Sequence, residues 1–240
     1  MFAFSKSLKP RSHWKWTCCA IGLWGFFAAA AWAQSVDIPP PLATGDKWTF
    51  RFHNKGDKRE PFLFSNEVKS VEPAVAWVYG ESQETNSQNP KYVWRIDTNK
   101  FEFVERFQFD PAAPNGAGKL QVDRKANDAM LQLPLQVGKK YTVKSKWDNG
   151  RGFDELTAEV QAFEKIKVEA GEFDVFRIKY SGFWNQREGG SYSGRIERMS
   201  WFAPAVKQSV KTVSSSRTSD GRPWNDFVTE LVKWEPGAAK

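Results

Sequence analysis

The chain has 240 residues, 35 Lys and Arg against 28 Asp and Glu, a net charge of +7 at neutral pH, and 15% aromatic residues. Its charges are interspersed, with no run of five or more of one sign, which argues against a nucleic-acid surface. Both cysteines, Cys18 and Cys19, lie near the amino terminus, so the rest of the chain has no disulfide partner and no thiol chemistry.

The first 33 residues read as a secretory signal. Basic residues Lys6, Lys9, Arg11 and Lys15 precede the apolar run CCAIGLWGFFAAAAW, and the small residues Ala31 and Ala33 place a cleavage site before Gln34. An apolar run of about 15 residues falls short of the length that spans a bilayer, which favours a cleaved signal over a retained anchor. A lipid-modified cysteine would follow such a run, whereas Cys18 and Cys19 open it, so a lipoprotein is not expected. Removing the leader takes away four positive charges and lowers the net charge from +7 to +3. The expected organisation is a signal peptide over 1–33 and a single β-rich domain over 34–240, periplasmic or secreted. A domain of that length buries roughly 70% of its unfolded surface without disulfide staples.

From Gln34 onward apolar and polar residues alternate with period two, the pattern of strands that bury one face. Trp48, Phe50 and Phe52 share the first face, closed by HNKGDKRE. Phe62 and Phe64 follow, then Val75, Trp77 and Tyr79, then the polar loop ESQETNSQNP. Tyr92, Trp94 and Ile96 form the next ladder, and Phe101, Phe103, Phe107 and Phe109 another, ended by DPAAPNGAG. ANDAMLQLPLQ fits a short helix or an extended linker, with Pro134 ending any helix. Tyr141, Val143 and Trp147 lead into DNG, a hairpin signal because Asn149 and Gly150 accept positive φ, and Leu156, Ala158, Val160 and Ala162 continue beyond it. The segment GDKWTFR at 45–51 parallels GKKYTVK at 138–144, which fits either a duplication or two similar strand starts.

In KIKVEAGEFDVFRIKYSGFW, residues 165–184, two alternating runs flank Gly171. Phe176, Ile178, Tyr180 and Trp184 share one face and Arg177, Lys179 and Ser181 the other, which makes a hairpin. The last run, WNDFVTELVKW, fits a helical face through Trp224, Phe227, Val228 and Leu231, but Val228, Val232 and Trp234 after the SDGRP turn favour a strand. The fold expected is mainly β: a single antiparallel meander of about a dozen strands with little helix, forming a strongly curved sheet or open β-barrel.

Four of these segments, LPLQVGKKY, VEAGEFDVFRI, MSWFAPAVKQSVK and FVTELVKW, resemble a group of uncharacterised bacterial exported β-rich domains. In that group an apolar-Pro-Leu-x-x-Gly segment leads to an Ala-Gly-x-Phe-Asp hairpin, an aromatic-aromatic-Ala-Pro corner and a final strand. The resemblance runs from Leu131 to Trp234, and WFAPAVKQSV lacks the Gly that follows the valine in the pattern. The group is similar to periplasmic carrier-type open barrels of the LolA and LolB kind. The resemblance therefore implies a curved antiparallel sheet around a greasy concavity, and it implies no catalytic residue.

The residues themselves offer little chemistry. His53 is the single histidine after the leader, and the chain has no Gly-x-Ser-x-Gly elbow, so a His-based triad is not expected. One His and no Cys rule against a zinc site. No carboxylate spacing points to glycoside hydrolysis, and the glycines of GEFDVF and EGGSYSG lie between strands without the following helix a phosphate loop needs. A non-enzymatic protein without metal or cofactor is the expectation.

Aromatic residues are the stronger signal. The chain carries 12 Trp, 19 Phe and 5 Tyr, of which four Trp and four Phe belong to the leader. These side chains either fill a core or leave a surplus that lines a concave pocket. Two functions follow: an exported protein that binds or carries a hydrophobic or amphipathic, lipid-like ligand, or a structural module that contacts another envelope protein and has a filled core. Trp48, Trp77, Trp94 and Phe103 are the residues expected to line a pocket. Glu105 joins them because KFEFVERFQF places one carboxylate in the middle of an aromatic ladder, where burial without a partner costs several kcal/mol. Three arrangements relieve it: a bulge near Val104 to Arg106, pairing with Arg95 or Arg198, or a wet pocket in which Glu105 orients a ligand's polar head.

Overall fold

The computed structural model of the chain describes residues 35–36, 40–55, 60–85, 87–100, 102–126, 129–147, 151–187 and 192–238. The expected leader, Phe101 and the DNG residues at 148–150 lie outside the described residues. Period-two alternation becomes strand after strand: β1 (Ser35–Val36), β2 (Lys47–Asn54), β3 (Phe62–Glu72), β4 (Val75–Ser82), β5 (Lys91–Asp97), β6 (Glu102–Phe109) and β7 (Ala117–Ala126). There follow β8 (Leu135–Gln136), β9 (Lys140–Trp147), β10 (Gly152–Val168), β11 (Gly171–Gln186), β12 (Tyr192–Ala203), β13 (Gln208–Thr218) and β14 (Pro223–Glu235). The helical content among the described residues is two 3-10 turns, Pro114–Gly116 and Pro204–Val206.

All but β1 and β8 belong to one strongly curved antiparallel sheet in which sequence neighbours pair in order. The circuit is completed at two places. β14 pairs along β2, from Phe227↔Asn54 to Glu235↔Lys47. β7 meets β9 through a short ladder, Arg124↔Trp147 to Ala126↔Ser145. Between those two strands the chain steps out of the sheet, and β8 pairs with β1. The meander expected from the sequence is the fold.

Two segments that the sequence left open are settled here. From Ala129 on, ANDAMLQLPLQ takes no helical turn and runs into β8. WNDFVTELVKW is strand β14. Its register shifts between Leu231 and Lys233, so Leu231 and Trp234 share the buried face. The expected single face through Val228, Val232 and Trp234 is corrected accordingly: the extra residue at the bulge changes the phase of alternation.

Two clusters form the core. One gathers Trp48, Phe50, Val68, Val78, Ile96 and Leu231. The other gathers Tyr141, Leu156, Val160, Phe176, Ile178 and Phe202, with Met130, Leu131 and Leu133 packed on it. Full burial of side chains of this size contributes about 1.5–3 kcal/mol each, which is how a chain without staples holds its shape.

The parallel between GDKWTFR and GKKYTVK extends to the hydrogen bonds. At Gly45 (φ 93°) the N–H donates to the Val68 carbonyl at 2.8 Å, and the Val68 N–H donates back to the Asp46 carbonyl at 2.8 Å. At Gly138 (φ 89°) the N–H donates to the Val160 carbonyl at 2.8 Å, and the Val160 N–H donates to the Lys139 carbonyl at 2.9 Å. A bulge follows each valine, between Val68 and Ser70 and between Val160 and Ala162. A buried leucine precedes each glycine, Leu42 and Leu135. Matching turns, bulges and leucines favour duplication over two similar strand starts.

The β14–β2 join is reinforced from the side. Trp48 stacks on Trp234 with centroids 5.2 Å apart, and its indole N–H donates to the Val206 carbonyl at 2.7 Å. Asp46 is wholly buried, and three donors converge on its carboxylate: the Ala43 N–H at 2.7 Å, the Gly237 N–H at 2.9 Å and Lys207 Nζ at 2.7 Å. A buried carboxylate is tolerable only when it is satisfied in this way.

Candidate functional site

The inner face of the sheet has two chemistries. On one side, pairing aligns Phe50 with Phe64, Trp48 with Asn66, Asn66 with Gly80 and Gly80 with Tyr92. Next along the same face Trp94 opposes Arg106 and Ile96 opposes Phe103. On the other side, Arg198 opposes Ser214 and Ser214 opposes Phe227, Ser200 opposes Thr212 and Thr212 opposes Thr229, and Ile196 opposes Ser216. Strands β2–β6 thus present an aromatic wall and β12–β14 a wall rich in hydroxyls.

Two cavities lie along these walls. A cavity of about 350 Å³ is bordered by Phe50, Phe64 and Phe103 on the aromatic side, by Arg198, Ser200 and Thr212 on the polar side, and by Met130 and Leu131. A second, of about 530 Å³, is bordered by Phe52, Phe62, Tyr92, Trp94 and Arg106. Phe64, Asn66 and Phe103 belong to both linings. Volumes of this order are those of small-molecule sites, roughly 300–1,000 Å³. Met130 is held in place because the Tyr180 and Tyr141 hydroxyls both donate to its carbonyl, at 2.8 and 3.0 Å.

Around the larger cavity the packing is specific. Tyr92 lies over Gly80, where a Cβ would come within 1.8 Å of the ring, so glycine is required beneath it. The Tyr92 hydroxyl donates to Asn66 Oδ1 at 3.3 Å. Burial pushes the phenol up to about 12, against the opposing effect of the neighbouring Arg106. The Arg106 guanidinium sits 4.3 Å from the Tyr92 ring centroid and 5.9 Å from that of Trp94, a cation–π arrangement. Its Nε is buried and has no hydrogen-bond partner among the described residues.

The residues expected to line a pocket separate. Trp94 and Phe103 meet edge to face with centroids 5.2 Å apart at the cavity wall. Trp48 borders the smaller cavity but is wholly buried in the core. Trp77 pairs with Arg95, and its ring lies 5.9 Å from Phe107, on the opposite face of the sheet from Trp94. Glu105 is also on that outer face: its carboxylate takes Arg95 Nε at 2.5 Å. The cause is a bulge at Val104, where consecutive residues Arg95 and Ile96 oppose Glu105 and Phe103. The unbroken ladder through Phe103, Glu105, Phe107 and Phe109 is therefore corrected. Phe103 and Arg106 turn inward, while Glu105 and Phe107 turn out. His53 is exposed on β2, opposite Val228.

Two features were not read from the sequence. Arg106 was hidden by the phase change, although the adjacent Glu105 and Arg106 in an aromatic run marked a place where alternation fails. The hydroxyl wall was hidden because SVKTVSSSRT has no apolar contrast to show which of its faces is inside.

No protein-family model matches the chain, and no curated protein does. Some solved structures are similar to it. A Bacteroides fragilis protein named as exported, with a YmcC-like fold, is 15% identical over 83% of this chain and 100% of its own, at a TM-score of 0.49. A Parabacteroides distasonis protein named as a lipoprotein is 15% identical over 84% of this chain and 100% of its own, at 0.43. The hypothetical lipoprotein YmcC of Escherichia coli is 10% identical over 80% of this chain and 85% of its own, at 0.41. At this level of likeness nothing about the site transfers from them.

Proposed function

We propose that the chain is an exported protein that binds or carries an amphipathic ligand between the two walls of its curved sheet, acting by binding and not by catalysis. The observation that carries the reading is the pairing of an aromatic wall with a hydroxyl-rich wall around cavities that share Phe64, Asn66 and Phe103. A core built only for stability would favour apolar side chains on both walls, since buried hydroxyls need partners. A ligand with a greasy part and a polar part uses both. Export rests on the leader pattern, and the likeness to LolA- and LolB-type carriers rests on the sequence motifs; both belong to the proposal.

Native mass spectrometry of the protein purified from the periplasm tests it. A mass increment released on denaturation and extracted into organic solvent is the expected result. A clean apo mass with a stoichiometric protein partner would instead favour the envelope interaction module.

A further inference from the structure

We propose that Arg106 is the anion-holding group of the larger cavity, and that the ligand it selects is a single-chain amphipath with an acidic head, a carboxylate or a phosphate monoester. This rests on the ligand-binding reading above and narrows it to a class of molecule.

The bulge at Val104 supplies the first argument. Without it, the alternation of KFEFVERFQF would set Glu105 among the inner aromatics; with it, the inner residue beside Trp94 is Arg106, and the acid lies outside on Arg95. The local irregularity exchanges a negative lining group for a positive one. Geometry supplies the second. A guanidinium stacked on a ring satisfies its face but not its edge, because its N–H donors lie in its plane. Arg106 covers Tyr92, and its buried Nε has no acceptor among the described residues. A carboxylate or phosphate meets such an edge with paired, charge-assisted hydrogen bonds, which strengthen away from bulk water. The third argument is the surroundings. Phe52, Phe62, Phe64 and Phe103 line the same cavity and offer an apolar surface for an alkyl chain next to the cation. The other charged side chain on this lining, Glu84, has an interaction of its own. In the neighbouring cavity, Lys207 is engaged by buried Asp46.

The test is calorimetric titration of the full chain, freed of bound lipid, with dodecanoate, dodecyl phosphate and the uncharged isostere dodecanamide, all below their micelle concentrations. The wild type is expected to bind at least one acid roughly tenfold or more tighter than the amide. Preference for dodecanoate over dodecyl phosphate assigns a carboxylate head, and the reverse a phosphate monoester. Arg106→Gln should bring the ratio of acid to amide affinity close to one, whatever it does to the affinity for the amide itself, and Arg106→Lys should keep part of the preference. Equal affinity of the wild type for acids and amide overturns the proposal whether or not the variants fold. So does an Arg106→Gln protein that keeps the full preference. Binding of the amide without charge preference overturns only the role of Arg106, whereas absence of binding by all three overturns the ligand reading as well.

Discussion

At Val104 the backbone of β6 carries one residue more than its partner β5, and the two residues that follow acquire opposite fates: Glu105 is paired outside, and Arg106 is laid on Tyr92 inside. The same small region sets a pH limit. Tyr92 titrates near 12 in the folded chain because burial disfavours its anion, against about 10 when unfolded. A folded value above the unfolded one means that both states hold the proton below pH 10. Above it the unfolded state ionises first, and stability falls as pH rises towards 12. Each such group contributes a slope of up to about 1.4 kcal/mol per pH unit in that window. Urea unfolding at intervals from pH 9 to 12 should therefore show a shallower decline for Tyr92→Phe than for the wild type. Identical slopes would show that Tyr92 is not held protonated. Such single-residue effects were the least legible part of the sequence, because one inserted residue moves every later side chain to the other face of the strand.

Among the elements, the β10–β11 hairpin was the most legible. Alternation on both sides of Gly171 predicted its strands, and they pair from Val168↔Gly171 to Gly152↔Gln186. Gly171 has φ 137°, yet an added Cβ would meet only Phe173, at 3.9 Å. The constraint is the backbone conformation and not space. Gly171→Val should destabilise by about 1 kcal/mol or more, whereas Lys179→Ala, on the outer face opposite Glu159, should stay within ~0.5 kcal/mol. Denaturant midpoints compare the two, and small equal effects would contradict this register. Further along the same hairpin the reading weakens. Leu156, Ala158 and Val160 do form one buried face, but the bulge before Ala162 brings Phe163 against Phe176, with centroids 4.7 Å apart. The inner face of strand β13 was illegible as a wall, since Thr212, Ser214 and Ser216 carry no hydrophobic signal of burial. Their inward direction comes from the strands on either side.

For the whole molecule, the mainly β meander could be read from period-two alternation because each strand pairs with its neighbour in sequence. The join of β14 to β2 could not, because no local pattern relates them. That join also has a consequence in time. A chain made from its amino terminus delivers β2 early and β14 last of the described strands, and the Gly237 donor reaches Asp46 across 191 residues of sequence. For most of the interval β2 has one unpaired edge, a template for any other extended chain nearby, and such distant pairing is slow to form. The interval before the last strand arrives is thus the vulnerable period of this protein's life, and β14 ends it. A chain ending at Thr218 should remain in that condition permanently, with β2 and β13 both open, and should sediment as soluble oligomers or aggregates. A truncated chain that stays monomeric and cooperatively folded would show that the sheet does not depend on its last strand.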